Sequence, residues 1–121
     1  MVYQWYDYLI FARNLRTNPA FIECTCDKET LNRCIVSRAY YAAFHYAKDC
    51  AEKKQGFKFR TDGIHDAVRN WYWSHNKKAA FNDLRDLSKL RNHCDYDDVV
   101  PDLDNLIVGS LKTAERIHHE T

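Results

Sequence analysis

The sequence predicts an all-α protein, an up-and-down bundle of about five helices forming a single domain over residues 1–121. Gly and Pro, the residues that most often interrupt helices, number only 3 and 2. Apolar residues recur every three or four positions in several long segments, whereas the alternation typical of strands is weak throughout. The chain is also long enough to bury a core without disulfides or metals.

Composition and charge exclude several classes of protein. With 18 basic and 17 acidic residues the formal net charge is +1, so binding to nucleic acid would need a local basic patch. Because no run of about 18 apolar residues is present, no membrane span is predicted. The 5 cysteines are an odd number without the spacing of a disulfide framework, which favours free thiols in a reducing cytoplasm.

The first helix is predicted from about Tyr3 to Leu15, with one side formed by Trp5, Tyr8, Leu9, Ala12 and Leu15. Asn18-Pro19 then discourages helix, so a loop is expected as far as Asp27. Cys24 and Cys26 in this loop are closer together than zinc ligands usually are, and no second pair follows at a standard distance. No metal site is therefore predicted.

The second helix is predicted from about Lys28 to Gln55, with Asp27 as its N-cap and Gly56 as its C-terminal stop. Apolar residues fall on two of its faces, which is typical of a central helix. A narrower stripe between these faces carries Cys34, Arg38, Tyr41 and His45. Polar side chains on a buried helix need partners, because burying them unpaired is costly.

Three further helices complete the prediction. The third covers about Ile64 to Ser74 and the fourth about Lys78 to Cys94. Pro101 is expected in the first turn of the fifth helix. The core stripe of that helix is predicted to be Leu103, Leu106, Ile107, Leu111, Ala114 and Ile117. The terminal stretch IHHET is expected to fray into solvent.

The stretch LRNHCDYDD, from Leu90 to Asp98, gathers many side chains that exchange protons or hold charge. On a helix, Arg91 lies on the same side as the apolar residues Leu84, Leu87 and Cys94. A guanidinium in such a position demands acceptors. Asp95, four residues on, is at ion-pair distance, and Tyr41 is a second possible partner that would fix the fourth helix against the second.

A functional interpretation of Arg91 is compatible with this structural one. Together with Arg38, it could grip a phosphate, especially at a dimer seam. His93 lies about 200° around the helix from Arg91, so the two side chains are not expected to act on one substrate atom.

Two segments of the chain resemble a known family. LNRCIVSRAYYAAFHYAKDCAEKKQG, Leu31 to Gly56, resembles the SRAYYAAFHAAR helix of the HEPN proteins, the higher eukaryotes and prokaryotes nucleotide-binding domains. A histidine, His65, then follows at the start of a helix. The block LSKLRNHCDYDD resembles the LRxxADYD end of the small stand-alone prokaryotic HEPN group. The resemblance spans about Leu31 to Leu111.

The resemblance implies a helical bundle that dimerises through its long helices and uses no cofactor. Many HEPN proteins are metal-independent endoribonucleases, in which an arginine, a polar residue and a later histidine meet their counterparts across the dimer. Arg91 and Asn92 match the first two positions. Tyr96 and two aspartates occupy the positions of the histidine, and His93 comes earlier.

Residues are assigned to candidate roles on these grounds. The candidate catalytic residues are Arg91, His93 and Tyr96. The candidate binding residues are Arg38, Tyr41, His45, His65, Asn92 and Asp95.

Three functions follow as hypotheses. The preferred one is a dimeric subunit of a prokaryotic toxin–antitoxin or defence module that binds RNA, a nucleotide or a partner protein. In the small HEPN group that partner is often a minimal nucleotidyltransferase, for which Tyr96 is the candidate acceptor. The alternatives are a metal-independent endoribonuclease toxin and a structural dimeric subunit without a ligand.

Overall fold

Five helices make up the described part of the chain, which is residues 3–17 and 28–120 of a computed structural model. They are α1 (Trp5–Thr17), α2 (Lys28–Gln55), α3 (Ile64–Ser74), α4 (Lys78–Tyr96) and α5 (Leu103–Glu120). No strand occurs in these two ranges, so the prediction of an all-α bundle is confirmed. The cysteines at 24 and 26 and the predicted cap Asp27 lie outside the described residues.

The long helix α2 is the centre of the bundle, because it contacts all four of the other helices. Its faces toward them carry small residues that are fully buried, namely Ala39, Ala42, Ala43, Ala47 and Ala51. Small side chains let neighbouring helices approach closely, and larger ones such as Ile35 on α2 and Leu87 on α4 fill the remaining space. Burying a side chain of that size stabilises the fold by about 1.5–3 kcal/mol.

The predicted bounds of α2 and α3 are confirmed. Helix α1 begins and ends two residues later than predicted, and α4 begins as predicted but ends two residues later. At the end of α2, Gly56 has a φ of 81°, a left-handed conformation that costs glycine little. Its N–H still donates to the Glu52 carbonyl over 2.9 Å, which closes the last turn. The helix α4 continues past Cys94 to Tyr96, because the side chain of Arg33 satisfies carbonyl groups at its end.

Pro101 does not lie in the first turn of α5, so that prediction was wrong. The residue after it, Asp102, has a φ of 60°, which separates Pro101 from the helix. The carbonyl of Asp102 accepts hydrogen bonds from the backbone N–H groups of Asn105 and Leu106, each over 3.1 Å. Asp102 therefore acts as the cap at which α5 begins.

The prediction that the C-terminal stretch frays was also wrong for the residues that can be described. Helix α5 runs to Glu120, and the His118 ring stacks on Tyr46 with centroids 4.1 Å apart. The edge of Tyr6 meets the same imidazole at 5.1 Å. These contacts hold the last turns of α5 against α1 and α2.

The described helices share one hydrophobic core. Within residues 3–17 and 28–120, no helix combines the length and the apolar character needed to cross a bilayer.

Candidate functional site

Arg91, in the second half of α4, is held at both ends of its guanidinium group. Its Nη2 donates a hydrogen bond to the Tyr41 hydroxyl of α2 over 2.7 Å, and its Nε lies 2.7 Å from Asp95 Oδ2. Both partners are those that the sequence predicted. We call Arg91, Tyr41 and Asp95 the Arg91 centre.

Two aromatic rings flank the Arg91 guanidinium. Its carbon Cζ lies 5.1 Å from the ring centroid of Tyr41 and 5.8 Å from that of Tyr96, both within the range of cation–π attraction. The two rings differ in environment, because Tyr41 is half-buried whereas Tyr96 is 73% exposed. About one fifth of the Arg91 side chain, 21%, remains accessible to solvent.

The third nitrogen of the group, Nη1, has a weaker partner. It donates to the Asn92 side-chain oxygen over 3.2 Å, and Asn92 is exposed. The Asp95 carboxylate, by contrast, also accepts a hydrogen bond from the Ser37 hydroxyl of α2. The Asp95 side of the guanidinium is therefore fixed, and the Nη1 side is the one that an incoming acceptor can reach.

Arg33 of α2 fixes the end of α4 on which the Arg91 centre depends. Its Nη1 donates to the carbonyls of Cys94 and Asp97 over 3.0 and 2.6 Å, and its Nη2 donates to the Asp98 carbonyl over 3.0 Å. These carbonyls at the helix end would otherwise lack protein donors. This role of Arg33 was not predicted, because the spacing within α2 does not show which helix its side chain faces.

His93 lies on the other side of α4 from Arg91, as the helical spacing predicted. Its Nδ1 pairs with the Asp97 carboxylate, and 59% of its side chain is exposed. It lines a small groove together with Val99, Val100, Pro101 and Leu106. His93 therefore faces α5 and is separated from the Arg91 centre.

His65, at the start of α3, is the imidazole on which the charge of Arg91 acts. It stacks on Phe44 with centroids 4.1 Å apart, and its Nδ1 shares a hydrogen bond with the Tyr40 hydroxyl. Burial lowers the pKa of His65, and the positive charges of Arg69 and Arg91 lower it further. Burial likewise raises the pKa of Tyr40, so both groups are held in their neutral forms at neutral pH.

Arg38 and His45 belong to the seam between α1 and α2. Arg38 Nη1 donates to the Tyr8 hydroxyl over 3.0 Å, and its guanidinium lies 5.4 Å from the centroid of the Phe11 ring. His45 stacks on Trp5 at 4.0 Å, and burial together with the charge of Lys48 lowers its pKa.

The predicted stripe on α2 is therefore divided. Tyr41 joins Arg91 and Asp95, whereas Arg38 and His45 turn to α1. The expectation that Arg38 would act with Arg91 on one phosphate is not matched by a contact between the two in the described residues.

Two other features bear on what the chain can hold. No group of three or more His, Cys, Asp or Glu side chains in the described ranges could bind a metal ion. A cavity of about 520 Å³ opens between α1 and α5, with Arg13, Arg16, Leu111, Lys112 and Glu115 among its walls, and it shares no residue with the Arg91 centre.

No family model, no curated protein and no solved structure matches the chain. The HEPN assignment therefore rests on the two sequence motifs and stays a prediction.

Proposed function

We propose that the chain is a HEPN-type subunit of a prokaryotic toxin–antitoxin or defence module, and that the Arg91 centre binds a phosphate of RNA or of a nucleotide. One observation supports this most strongly. The Arg91 guanidinium is fixed by Tyr41 and Asp95, while its Nη1 side is held only by an exposed amide. In this proposal the chain binds without cleaving.

A fixed guanidinium is well suited to a phosphate. Its planar donors match phosphate oxygens, and it stays protonated at every physiological pH. Because Tyr41 and Asp95 already hold Arg91, little side-chain entropy is lost when a ligand binds. A phosphate at Nη1 would replace the Asn92 side-chain oxygen, so that an anionic acceptor takes the place of a neutral one.

The exposed Tyr96 ring favours a ligand that carries a base. It lies 5.8 Å from the Arg91 guanidinium and presents most of its surface to solvent. Stacking of a nucleobase on an aromatic side chain contributes about 1–3 kcal/mol. A phosphate on Arg91 and a base on Tyr96 together describe a nucleotide or a single-stranded RNA end.

The position of His93 supports binding rather than cleavage. General acid–base catalysis requires the titrating group within hydrogen-bond reach of the reacting atoms. His93 instead pairs with Asp97 and lines the groove toward α5. A phosphate on Arg91 therefore has no imidazole from His93 beside it.

Endoribonuclease activity is the second candidate function, and His65 is the observation that favours it. Burial and the charges of Arg69 and Arg91 keep this imidazole neutral, the form that a general base requires. Incubation of the purified protein with total RNA, alongside Arg91→Ala and His65→Gln, tests this alternative. Degradation that depends on both residues would favour it, and intact RNA over a range of salt and pH would exclude it.

A partner enzyme gives a further version of the proposal. The exposed Tyr96 hydroxyl could attack the α-phosphorus of a nucleoside triphosphate held by a minimal nucleotidyltransferase. The Tyr96 O–P bond would form, pyrophosphate would leave, and a base on the partner would take the phenolic proton. Mass spectrometry after co-expression tests this, because the adduct must appear on Tyr96 and must disappear in Tyr96→Phe.

The binding proposal is tested by fluorescence anisotropy with a labelled oligoribonucleotide and with mononucleotides. Arg91→Gln is expected to weaken binding about ten- to hundredfold, since hydrogen bonds to a charged group contribute about 1.5–3 kcal/mol. Arg16→Gln makes the same change of charge at an exposed position outside the centre and serves as the matched control. Equal losses in the two variants would contradict a specific role for Arg91.

A further inference from the structure

The turn between α3 and α4 carries a surface on which aromatic rings alternate with positive charges. Lys78 Nζ lies 4.9 Å above the Trp73 ring, and Trp73 meets Phe81 edge to face at 5.1 Å. The Arg85 guanidinium in turn lies 5.8 Å from the Phe81 ring. With the neighbouring lysines at the end of α2 and the start of α4, these residues form the Trp73 stripe, which consists of Lys54, Trp73, Lys77, Lys78, Phe81 and Arg85.

The Trp73 stripe brings positive charges close together. Lys77 contacts Lys54, and this interaction lowers the pKa of Lys77. Neither Lys77 nor Lys78 forms an ion pair with a carboxylate in the part of the chain that is described. Asp86 lies 3.3 Å from Arg85 in a solvent-exposed pair. Two ammonium groups held side by side repel each other, and an anion between them relieves that repulsion.

The two rings of the stripe differ in exposure, because Phe81 is partly buried against the core whereas Trp73 is accessible. Trp73 is 50% exposed, whereas Tyr72 beside it is fully buried and donates its hydroxyl hydrogen to the Ala47 carbonyl over 2.7 Å. Lys78, Phe81 and Arg85 follow at spacings of three and four residues, which places them along one side of α4. From Lys78 to Arg85 the helix rises about 10 Å, the length of about three stacked nucleotides.

We propose that the Trp73 stripe is a second binding surface of this protein, and that its ligand is single-stranded nucleic acid. The bases stack on Trp73 and Phe81, while the phosphates lie against Lys77, Lys78 and Arg85. A single strand offers both accessible base faces and a regular series of negative charges, and a row of alternating rings and cations complements both. A duplex satisfies only the charges, because its bases are already stacked inside it.

This surface is independent of the phosphate site proposed at Arg91, with which it shares no residue. The two also make different contributions. The Arg91 centre offers one fixed guanidinium for a single phosphate, whereas the stripe offers several charges and two rings along a strand. Loss of either surface is expected to leave binding at the other.

The test uses the full chain with labelled oligouridylate, oligothymidylate and a blunt hairpin duplex, over a series of salt concentrations. The double variant Lys77→Gln/Lys78→Gln is expected to reduce the slope of log affinity against log salt by about 1.4, since each phosphate contact to a single strand contributes about 0.7. Lys112→Gln, an exposed lysine on α5 outside the stripe, is the matched control and is expected to leave the affinity unchanged.

Stacking is tested separately with Trp73→Leu and Trp73→Phe. We expect the tryptophan fluorescence of the wild type to be quenched by the single strands, the quenching to be lost in both variants, and Trp73→Phe to retain more affinity than Trp73→Leu. Stacking of one base corresponds to a loss on the order of ten- to hundredfold in Trp73→Leu. Circular dichroism checks that each variant keeps the helical content of the wild type.

The outcomes separate the two proposals. The stripe is supported as a separate surface if the lysine variant binds the single strands more weakly and Arg91→Gln still lowers the affinity of that variant. An unchanged salt slope, an equal loss in Lys112→Gln, or duplex binding as tight as that of the single strands would overturn the stripe. Binding of an acidic protein to the stripe in place of either oligonucleotide would overturn it as well.

Discussion

The Arg91 guanidinium donates a hydrogen bond to the Tyr41 hydroxyl over 2.7 Å, joining two residues that are 50 positions apart in the sequence. The bond ties the second half of α4 to the middle of α2. Asp95, also on α4, pairs with the same guanidinium. Arg91 therefore takes part in a local ion pair and in a tertiary hydrogen bond.

Tyr41→Phe removes this hydrogen bond and keeps the ring. The variant should lower the free energy of unfolding by about 1.5–3 kcal/mol, because the lost bond has a charged donor. Tyr96→Phe is the matched control, since its ring also lies near Arg91 but its hydroxyl is exposed, and it should change stability by less than about 0.5 kcal/mol. Urea unfolding measures both, and equal effects of the two substitutions would mean that the Tyr41 hydroxyl makes no special contribution.

Removing Arg33 should loosen the end of α4. Arg33→Gln takes away the donors to the carbonyls of Cys94, Asp97 and Asp98. We expect faster amide hydrogen exchange in the last two turns of α4 and a loss of stability of about 1–3 kcal/mol. Arg60→Gln, in an exposed loop, is the control for the loss of a charge. Unchanged exchange at the end of α4 would contradict the capping role of Arg33.

Stability should fall as the solution becomes mildly acidic. The pKa of His65 in the folded chain lies below its ordinary value of 6.5, so above about pH 6.5 the imidazole is neutral in both folded and unfolded chains. Below that pH the unfolded chain takes up the proton first, and the folded state loses stability until the pH reaches the folded-state pKa. The pKa values of His45 and His118 are lowered as well and act in the same direction.

The contribution of His65 to this trend is isolated by His65→Gln. Chemical unfolding at a series of pH values between 5 and 7.5 should give a shallower dependence for the variant than for the wild type. Identical pH dependences would show that the acid sensitivity comes from other groups.

The spacing of polar and apolar residues was enough to predict most of the fold. The long helix α2 and the short helix α3 have the predicted bounds, because Gly56 and the turn after Ser74 interrupt the helical pattern in the sequence itself. The predicted position of Pro101 in the first turn of α5 was wrong. Proline fits a first helical turn, and nothing in the spacing shows that Asp102 adopts a positive φ. The prediction that the C-terminal stretch frays was wrong because the packing of His118 on Tyr46 is a tertiary contact, which local spacing does not reveal.

The contacts of the site could be predicted mainly where they are local, and the Tyr41 partner of Arg91 is the exception. Arg91 and Asp95 are four residues apart on one helix, and this spacing alone predicts their ion pair. The separation of His93 from Arg91 likewise follows from helical geometry. The partners of Arg33 and Arg38 depend on which helix each face of α2 meets, and the spacing within α2 does not contain that information.

The dimer that the family resemblance implies can be recognised by its mass. Light scattering on the purified chain should give about twice the mass of one 14.4 kDa chain. A mass of one chain at all concentrations would contradict the dimer and would leave the Arg91 centre to act in the monomer.

The central claim, that Arg91 binds a phosphate, is tested most directly by NMR of the arginine side chains. Uridine monophosphate is titrated into protein labelled with ¹⁵N, and the Nε–H resonance of Arg91 is assigned by comparison with Arg91→Lys. A saturable shift of the Arg91 resonance, with little change at Arg16 or Arg60, is the predicted result. An Arg91 resonance that stays in place while the ligand shifts other arginines would contradict the claim.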